Sequence, residues 1–382
     1  VEELEVFHAT HLALKEVVAS GPVDGLRIDH PDGLRDPAGY FRRLREWFPD
    51  LWLVAEKILE PGESLPRKWP LDGTTGYDFL QMAGGLWIDP TGEKILTDFY
   101  RDFTGQDSTY GNVVREQKHR IIKSAFEGDL TRLVRILRAV CDAHLLDYPL
   151  SKLKALLSEL IASFPVYRTY VQPERDEITE EDRHSIVAAM SAARRCNPPF
   201  EEGLLSLIEE LLTGLRCETA DELEFVARFQ QMTGPVMAKG VEDCTFYRYD
   251  RMLALNEVGC DPARFGVSPD AFHEHNAEGH AYWPFRMLCT STHDTKRSED
   301  VRCRISLLSE IGSAWADEAR KWAQHNYPAW AGREPDRSAE HLFYQTLVGA
   351  WPIEGQRMKD YMRKAYREAG RHTSWTTPDE VY

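Results

Sequence analysis

From Val1 to Ala19 the apolar residues Leu4, Val6, Phe7, Leu12, Leu14, Val17 and Val18 recur with the spacing of a helical face, so the chain is expected to open with a helix. After Gly21 and Pro22 the pattern changes to VDGLRIDH, a short alternating stretch that reads as a buried strand ending near Asp29. The next segment, PDGLRDPAGYFRRLREWFPD, offers Asp36 as an N-cap and Pro37 as the first helical residue, then runs amphipathically through Trp47. LWLVAEKI follows as a second buried strand, again with charge at its end, at Glu56. Strand, helix, strand predicts parallel pairing through a right-handed crossover.

The stretch from Leu59 to Gly76 is rich in Pro and Gly, and a third short strand or turn is expected around Tyr77 to Leu80. The pattern then becomes helical for well over a hundred residues, as in LTRLVRILRAVCDAHLL, LLSLIEELLTGL and ELEFVARFQQM, with FPVYRTYV near Phe164 as an interrupting strand. PVMAKGVEDCTFYRYDRMLAL resumes strand then helix, and FRMLCTSTHDTKRSED gives a strand ending in His293 and Asp294. Beyond Ile305 the chain is helical again, in WADEARKWAQ and HLFYQTLVGAW. The expected fold class is α/β, a partial (β/α)8 barrel of the TIM type. Its barrel segments are 1–92, with the first two acid-bearing strands, and 233–305; a helical insertion spans 93–232 and a C-terminal helical segment 306–382.

Composition narrows the function. A formal charge of −16 disfavours a polyanionic partner, so nucleic acid is excluded and a neutral or cationic substrate is favoured. No apolar run approaches the ~20 residues of a membrane-spanning helix. An aromatic share of 11% suits stacking on sugar faces. Cys141, Cys196, Cys217, Cys244, Cys260, Cys289 and Cys303 are scattered, without CxxC spacing, and read as free thiols of a reducing cytoplasm. DGTTGYD lacks the GxxxxGK[ST] spacing of a phosphate cradle and reads as a turn. No DxDxDG-type cluster is present, so neither a metal nor a cofactor is expected. The acidic runs ITEEDRH and ETADELE read as solvated helix starts.

The candidate chemistry lies in three predicted strands that each end in a carboxylate: Asp29 in GLRID, Glu56 in LVAEK and Asp294 in STHD. In a (β/α)8 barrel the C-terminal strand ends form one mouth, so acids distant in sequence converge there. Retaining glycosyl transfer needs a carboxylate nucleophile and a second carboxyl as acid and then base, about 5 to 5.5 Å apart. Asp29 and Glu56 are separated by about one βαβ unit, roughly 30 residues, and should sit on neighbouring strands. Arg27 shares the strand face of Asp29, where it can hold that carboxylate ionised.

DGLRIDH, VAEKIL and STHD resemble the second, third and fourth signature segments of the α-amylase family, with Arg27, Asp29, Glu56, His293 and Asp294 on the matching positions. The longer strings VDGLRIDHPDGLRDPAGY, EKILEPGESLPRKWPLDGTTGYDFL, VMAKGVEDCTFYRYDRMLALNEVG and TSTHDTKRSEDVRCRI resemble its trehalose-forming branch. The resemblance implies an intramolecular transglucosylation that converts the reducing-end α-1,4 link of a maltooligosaccharide into an α,α-1,1 link, as a step of trehalose biosynthesis. It also implies Asp29 as nucleophile, Glu56 as acid and base, and Asp294 with His293 as stabilisers that hydrogen-bond the sugar. His30, Lys57, Tyr77 and Lys239 adjoin the signature segments and are candidates for retaining the freed glucose. The family's first signature segment has no counterpart upstream of Asp29, and its C-terminal β domain has none before Tyr382. Only the later barrel strands are therefore expected here, with an N-terminal segment supplied by the same or another chain. Two other readings of the same residues stay open: an α-glucan hydrolase, and a catalytically incomplete glucan-binding piece.

Overall fold

The computed structural model describes residues 1–379 except 22, 197 and 331–335. Its first elements follow the sequence pattern closely: α1 (Leu4–Ser20), β1 (Gly25–Ile28), α2 (Pro37–Trp47) and β2 (Trp52–Ala55). Asp36 caps α2 as expected, its carboxylate accepting the Gly39 N–H at 2.9 Å with Pro37 next in line. β1 and β2 pair in parallel, Gly25 opposite Trp52 through Ile28 opposite Ala55. A two-residue β3 (Gly73–Thr74) pairs in parallel with β2, giving a sheet ordered β1-β2-β3.

Thirteen further α-helices follow among the described residues: α3 (Tyr77–Gly85), α4 (Glu93–Thr104), α5 (Tyr110–Ser124), α6 (Glu127–Ala143), α7 (Leu150–Ala162), α8 (Glu180–Arg194), α9 (Glu202–Leu212), α10 (Ala220–Met237), α11 (Pro269–Tyr282), α12 (Glu299–Ser306), α13 (Gly312–Asn326), α14 (Arg337–Ala350) and α15 (Gly355–Ala369). The protein is thus mostly helical with a small parallel sheet. Among the described residues no helix is long and apolar enough to cross a membrane.

The chain divides into two compact units. One comprises Val1–Thr75, Lys118–Ala238 and His280–Met287; the other Gly76–Gln117, Lys239–Gly279 and Leu288–Tyr382. In the first unit the sheet rests on a core of Phe7, Phe41, Leu44, Phe48, Leu53, Ala55 and Trp69. A separate core, built from Leu137, Leu156, Leu160, Met190, Ile208, Leu211, Phe225 and Phe229 among others, joins α6 to α10. Sheet and bundle therefore bury different apolar faces, and polar side chains carry much of the link between them. In the second unit α4 packs on α13 and α14, and α12 on α14, where a Cβ at Gly349 would lie 2.7 Å from Ile305.

Four expected elements differ. FPVYRTYV is not a strand: it pairs with none of the three strands, and its backbone polar groups are met by side chains instead. Tyr170 N–H donates to the Asp182 carboxylate at 2.8 Å, and Gln230 bonds both the N–H and the carbonyl of Val171. PVMAKGVE is helical, α10 continuing to Met237 and a π turn covering Ala238–Glu242; buried Val236, Met237, Gly240 and Val241 repeat every four residues. The third strand falls at Gly73–Thr74 rather than after Tyr77, because left-handed Gly76 (φ 96°) starts α3 there. FRMLCTSTHD has no ladder; Phe285 and Leu288 are exposed, and the Met287 N–H bond to the Thr74 carbonyl stands without a continuing register. The two acidic runs do begin helices, but Asp182 and Glu222 fold back to close capping boxes with Thr179 and Thr219 and are buried rather than solvated.

Candidate active site

At the C-terminal end of β1 the side chains of Arg27 and Asp29 share a face, as successive alternate residues must. The guanidinium of Arg27 lies between two carboxylates: Nη1 donates to Asp29 Oδ1 at 2.5 Å and Nη2 to Glu56 Oε1 at 3.0 Å. The parallel register makes this possible, since the ladder continues one step beyond β2 through the Glu56 N–H and the Ile28 carbonyl, 2.9 Å apart. Glu56 uses its other oxygen to accept the backbone N–H of His30 at 3.0 Å.

His30 is left-handed (φ 42°, ψ 52°), a conformation uncommon outside glycine and one that recurs where a site imposes it. A Cβ on Gly33 would lie 2.9 Å from the imidazole, so glycine is needed for that ring position. Asp29 is 73% exposed and Glu56 18%. The hydrogen bond from Arg27 holds the Asp29 carboxyl below its ordinary value, outweighing the slight opposing effect of burial, and the guanidinium charge adds to it. The arrangement offers an ionised, open carboxylate beside a more sheltered one whose two oxygens have fixed donors. Such a pair can divide the labour of nucleophile and proton-transfer group.

Lys57 lies elsewhere. It is fully buried, its ammonium 3.0 Å from Glu63 Oε1, 3.5 Å from Asp32 Oδ2 and 2.8 Å from the Ile58 carbonyl, with the Tyr167 and Tyr170 rings beyond. Burial alone would lower its pKa, but the charges of Asp32 and Glu63 outweigh it and raise it. Burial likewise pushes up Glu63 and the Tyr170 hydroxyl. Expected beside the sugar, Lys57 is instead enclosed, because the residue after Glu56 turns to the opposite side.

The second unit holds the remaining candidates. His293 Nε2 and Asp294 Oδ2 are 3.1 Å apart, both well exposed. Below them Glu257, fully buried, accepts the N–H groups of Lys296 and Arg297 at 2.7 and 3.0 Å. Arg302 donates to Glu257 at 3.2 Å and to the Thr290 carbonyl, tying down the turn that carries Asp294. Asp243 bridges Lys239 at 2.6 Å and Lys296 at 3.1 Å. The hydrogen bond to Asp243 raises the pKa of Lys239. Tyr77 is buried, its hydroxyl 2.9 Å from Thr292 Oγ1, and left-handed Gly259 admits its close approach. Glu257 and Lys296 escaped the sequence reading; the signal for Lys296 was its place two residues after Asp294. Among the described residues no group of three or more His, Cys, Asp or Glu side chains is placed to hold a metal ion.

No protein-family model matches the chain. It is 36% identical over its whole length to a putative maltooligosyl trehalose synthase of Mycobacterium tuberculosis, and covers 47% of that protein. The solved structure of maltooligosyltrehalose synthase from Arthrobacter ramosus matches 99% of the chain at 36% identity with a TM-score of 0.86, over 46% of its own length. A hypothetical maltooligosyl trehalose synthase from Sulfolobus tokodaii matches all of it at 32% identity and a TM-score of 0.79, over 47% of its own. The chain therefore spans about half the length of the relatives it matches, and they carry the name of the branch that its longer strings resemble.

Two outcomes follow from the geometry. Replacing Arg27 by Met should move the Asp29 titration upward toward that of an ordinary carboxylate, read by carboxyl carbon NMR. A depressed group contributes stability above its unfolded-state pKa that is lost as pH falls through the folded one, so the variant should also lose that acid-side dependence. An unmoved titration would show that Arg27 does not hold Asp29. Lys57→Met leaves two buried carboxylates without their cation and should cost about 3 to 5 kcal/mol in urea unfolding. A cost below about 0.5 kcal/mol would mark the lysine as a surface group.

Proposed function

Because the chain is related along its whole length to maltooligosyltrehalose synthases, we propose that its protein carries out their reaction, turning the reducing-end α-1,4 link of a linear α-glucan into an α,α-1,1 link. The observation that carries this reading is the Arg27 guanidinium bridging Asp29 and Glu56 at adjacent parallel strand ends. We read the three-stranded sheet as an arc of a (β/α)8 barrel. Its support is the βαβ connection and the position of both acids just past the C-terminal ends of their strands.

In the mechanism we propose, Asp29 attacks C1 of the glucosyl unit next to the reducing end. The C1–O4 bond breaks while Glu56 gives its proton to the departing O4, and a glucosyl ester remains on Asp29. The freed glucose turns over; its anomeric hydroxyl attacks C1, Glu56 takes the proton, and Asp29 leaves as carboxylate. Two inversions keep the α configuration at C1. The lowered pKa of Asp29 supports its role as the ionised nucleophile. Asp294 and His293, exposed on a turn pinned by Glu257, are suited to hydrogen-bond sugar hydroxyls and to strengthen those bonds at the oxocarbenium-like transition state. Lys239 and the imidazole of His30 are assigned to retaining the freed glucose, and Tyr77 to supporting the Thr292 turn. Scattered cysteines and the absence of CxxC spacing support a cytoplasmic setting.

One observation favours a second reading. Asp29 is open to solvent, and water reaching its ester would make the enzyme a hydrolase. Incubation of the full-length protein with maltopentaose separates them: transfer removes reducing ends without releasing glucose, whereas stoichiometric new reducing ends would contradict it. Glucan binding without turnover would leave only a binding role. Asp29→Ala should lower turnover by roughly 10⁴-fold or more.

A further inference from the structure

The loop after Asp29, from His30 to Arg35, is held by side chains from the helical segment. Within the loop, the His30 carbonyl accepts the Gly33 N–H and the Pro31 carbonyl the Leu34 N–H, at 3.2 and 3.0 Å. The next four carbonyls are taken from outside. Arg168 Nη1 donates to those of Asp32 and Leu34 at 2.7 and 2.5 Å, and its Nη2 to that of Arg35 at 3.5 Å. Gln231 donates to Gly33 at 2.9 Å and Gln172 to Arg35 at 3.2 Å. The Tyr170 hydroxyl donates to the Asp32 carboxylate, whose other oxygen faces Lys57.

Arg168 is 1% exposed and cannot touch a sugar. A buried guanidinium is costly unless its donors are satisfied, and here they are spent on one short loop and on the Thr169 carbonyl at 3.0 Å. What that loop controls is His30, whose left-handed backbone aims its N–H at Glu56. A non-glycine residue in that conformation persists only where its surroundings over-determine it. We propose that Arg168 and Tyr170 are positioning residues for the reaction: by fixing the His30–Arg35 loop they keep the His30 N–H on Glu56 and Asp29 beside it. The helical segment then does more than pad the sheet, because it sets the geometry of the carboxylate pair from behind.

This inference rests on the reading of Asp29 and Glu56 as the catalytic pair, and the test separates the two. Arg168→Lys keeps the charge but loses the fork, and Tyr170→Phe removes only the hydroxyl. In the full-length protein both should lower kcat for maltopentaose roughly 10- to 100-fold with KM within about twofold, since small misplacements of reacting groups act on kcat. Hydrogen–deuterium exchange should accelerate in the peptide covering 29–35 and stay unchanged in α7 and α9. Folded variants with unchanged kcat and unchanged exchange would overturn the proposal, as would faster exchange throughout the bundle in step with the lost rate. If the parent turns over no glucan, the functional reading fails by itself. Exchange then still decides the tether: acceleration confined to 29–35 supports it, and none overturns it.

Discussion

The geometry of the candidate site hangs on the Arg27 guanidinium, placed between the Asp29 and Glu56 carboxylates. Two carboxylates placed together at a solvent-open strand end would repel, and one would be driven to take up a proton. A planar, permanently charged fork relieves that repulsion and fixes both acids at once, which a lysine could not do. The fork reaches both only because β1 and β2 run parallel in a register that puts Ile28 opposite Ala55. Backbone pairing, in other words, sets how the two carboxylates face the guanidinium between them.

Behind this pair, buried polar groups join the sheet to the bundle in the first unit. The sheet and the bundle of α6 to α10 each have their own core. Between them lie Lys57, Asp32, Glu63, Tyr170 and Arg168, in which each buried charge meets an opposite charge or a set of backbone carbonyls. Such a network gains little over an apolar contact in net stability, since desolvation offsets most of the attraction. It does impose direction, because every member accepts only one arrangement of its neighbours. For a loop that carries a left-handed residue next to two catalytic candidates, direction matters more than adhesion.

The parts of this fold that were legible in the sequence are those governed by local rules. Asp36 and Pro37 announce α2, hydrophobic runs announce β1 and β2, and the charges just past them mark the strand ends. The segments misread were those whose backbone is satisfied from a distance. FPVYRTYV has the residue types of a strand, yet Asp182 and Gln230 take the hydrogen bonds that a neighbouring strand would have supplied. FRMLC is apolar enough to suggest a strand running into STHD, but the segment is held as a turn by Glu257 and Arg302, residues that no local pattern connects to it. Lys57 shows the same limit at a single residue: adjacency to Glu56 suggested the substrate, while the acids that bury it, Asp32 and Glu63, lie on either side of it in sequence and have no helix or strand spacing that links them. The motifs located the acids; long-range polar contacts decided which neighbours accompany them.

In the proposed assignment Asp29 forms the bond to sugar while Glu56 moves the proton, with Arg27 holding both. It is tested most directly by trapping the intermediate with an activated 5-fluoro-α-glucosyl fluoride and mapping the labelled peptide by mass spectrometry. One glucosyl ester is expected, on the Asp29 carboxylate. An ester on Glu56, or labelling that leaves the peptide containing Asp29 untouched, would contradict it.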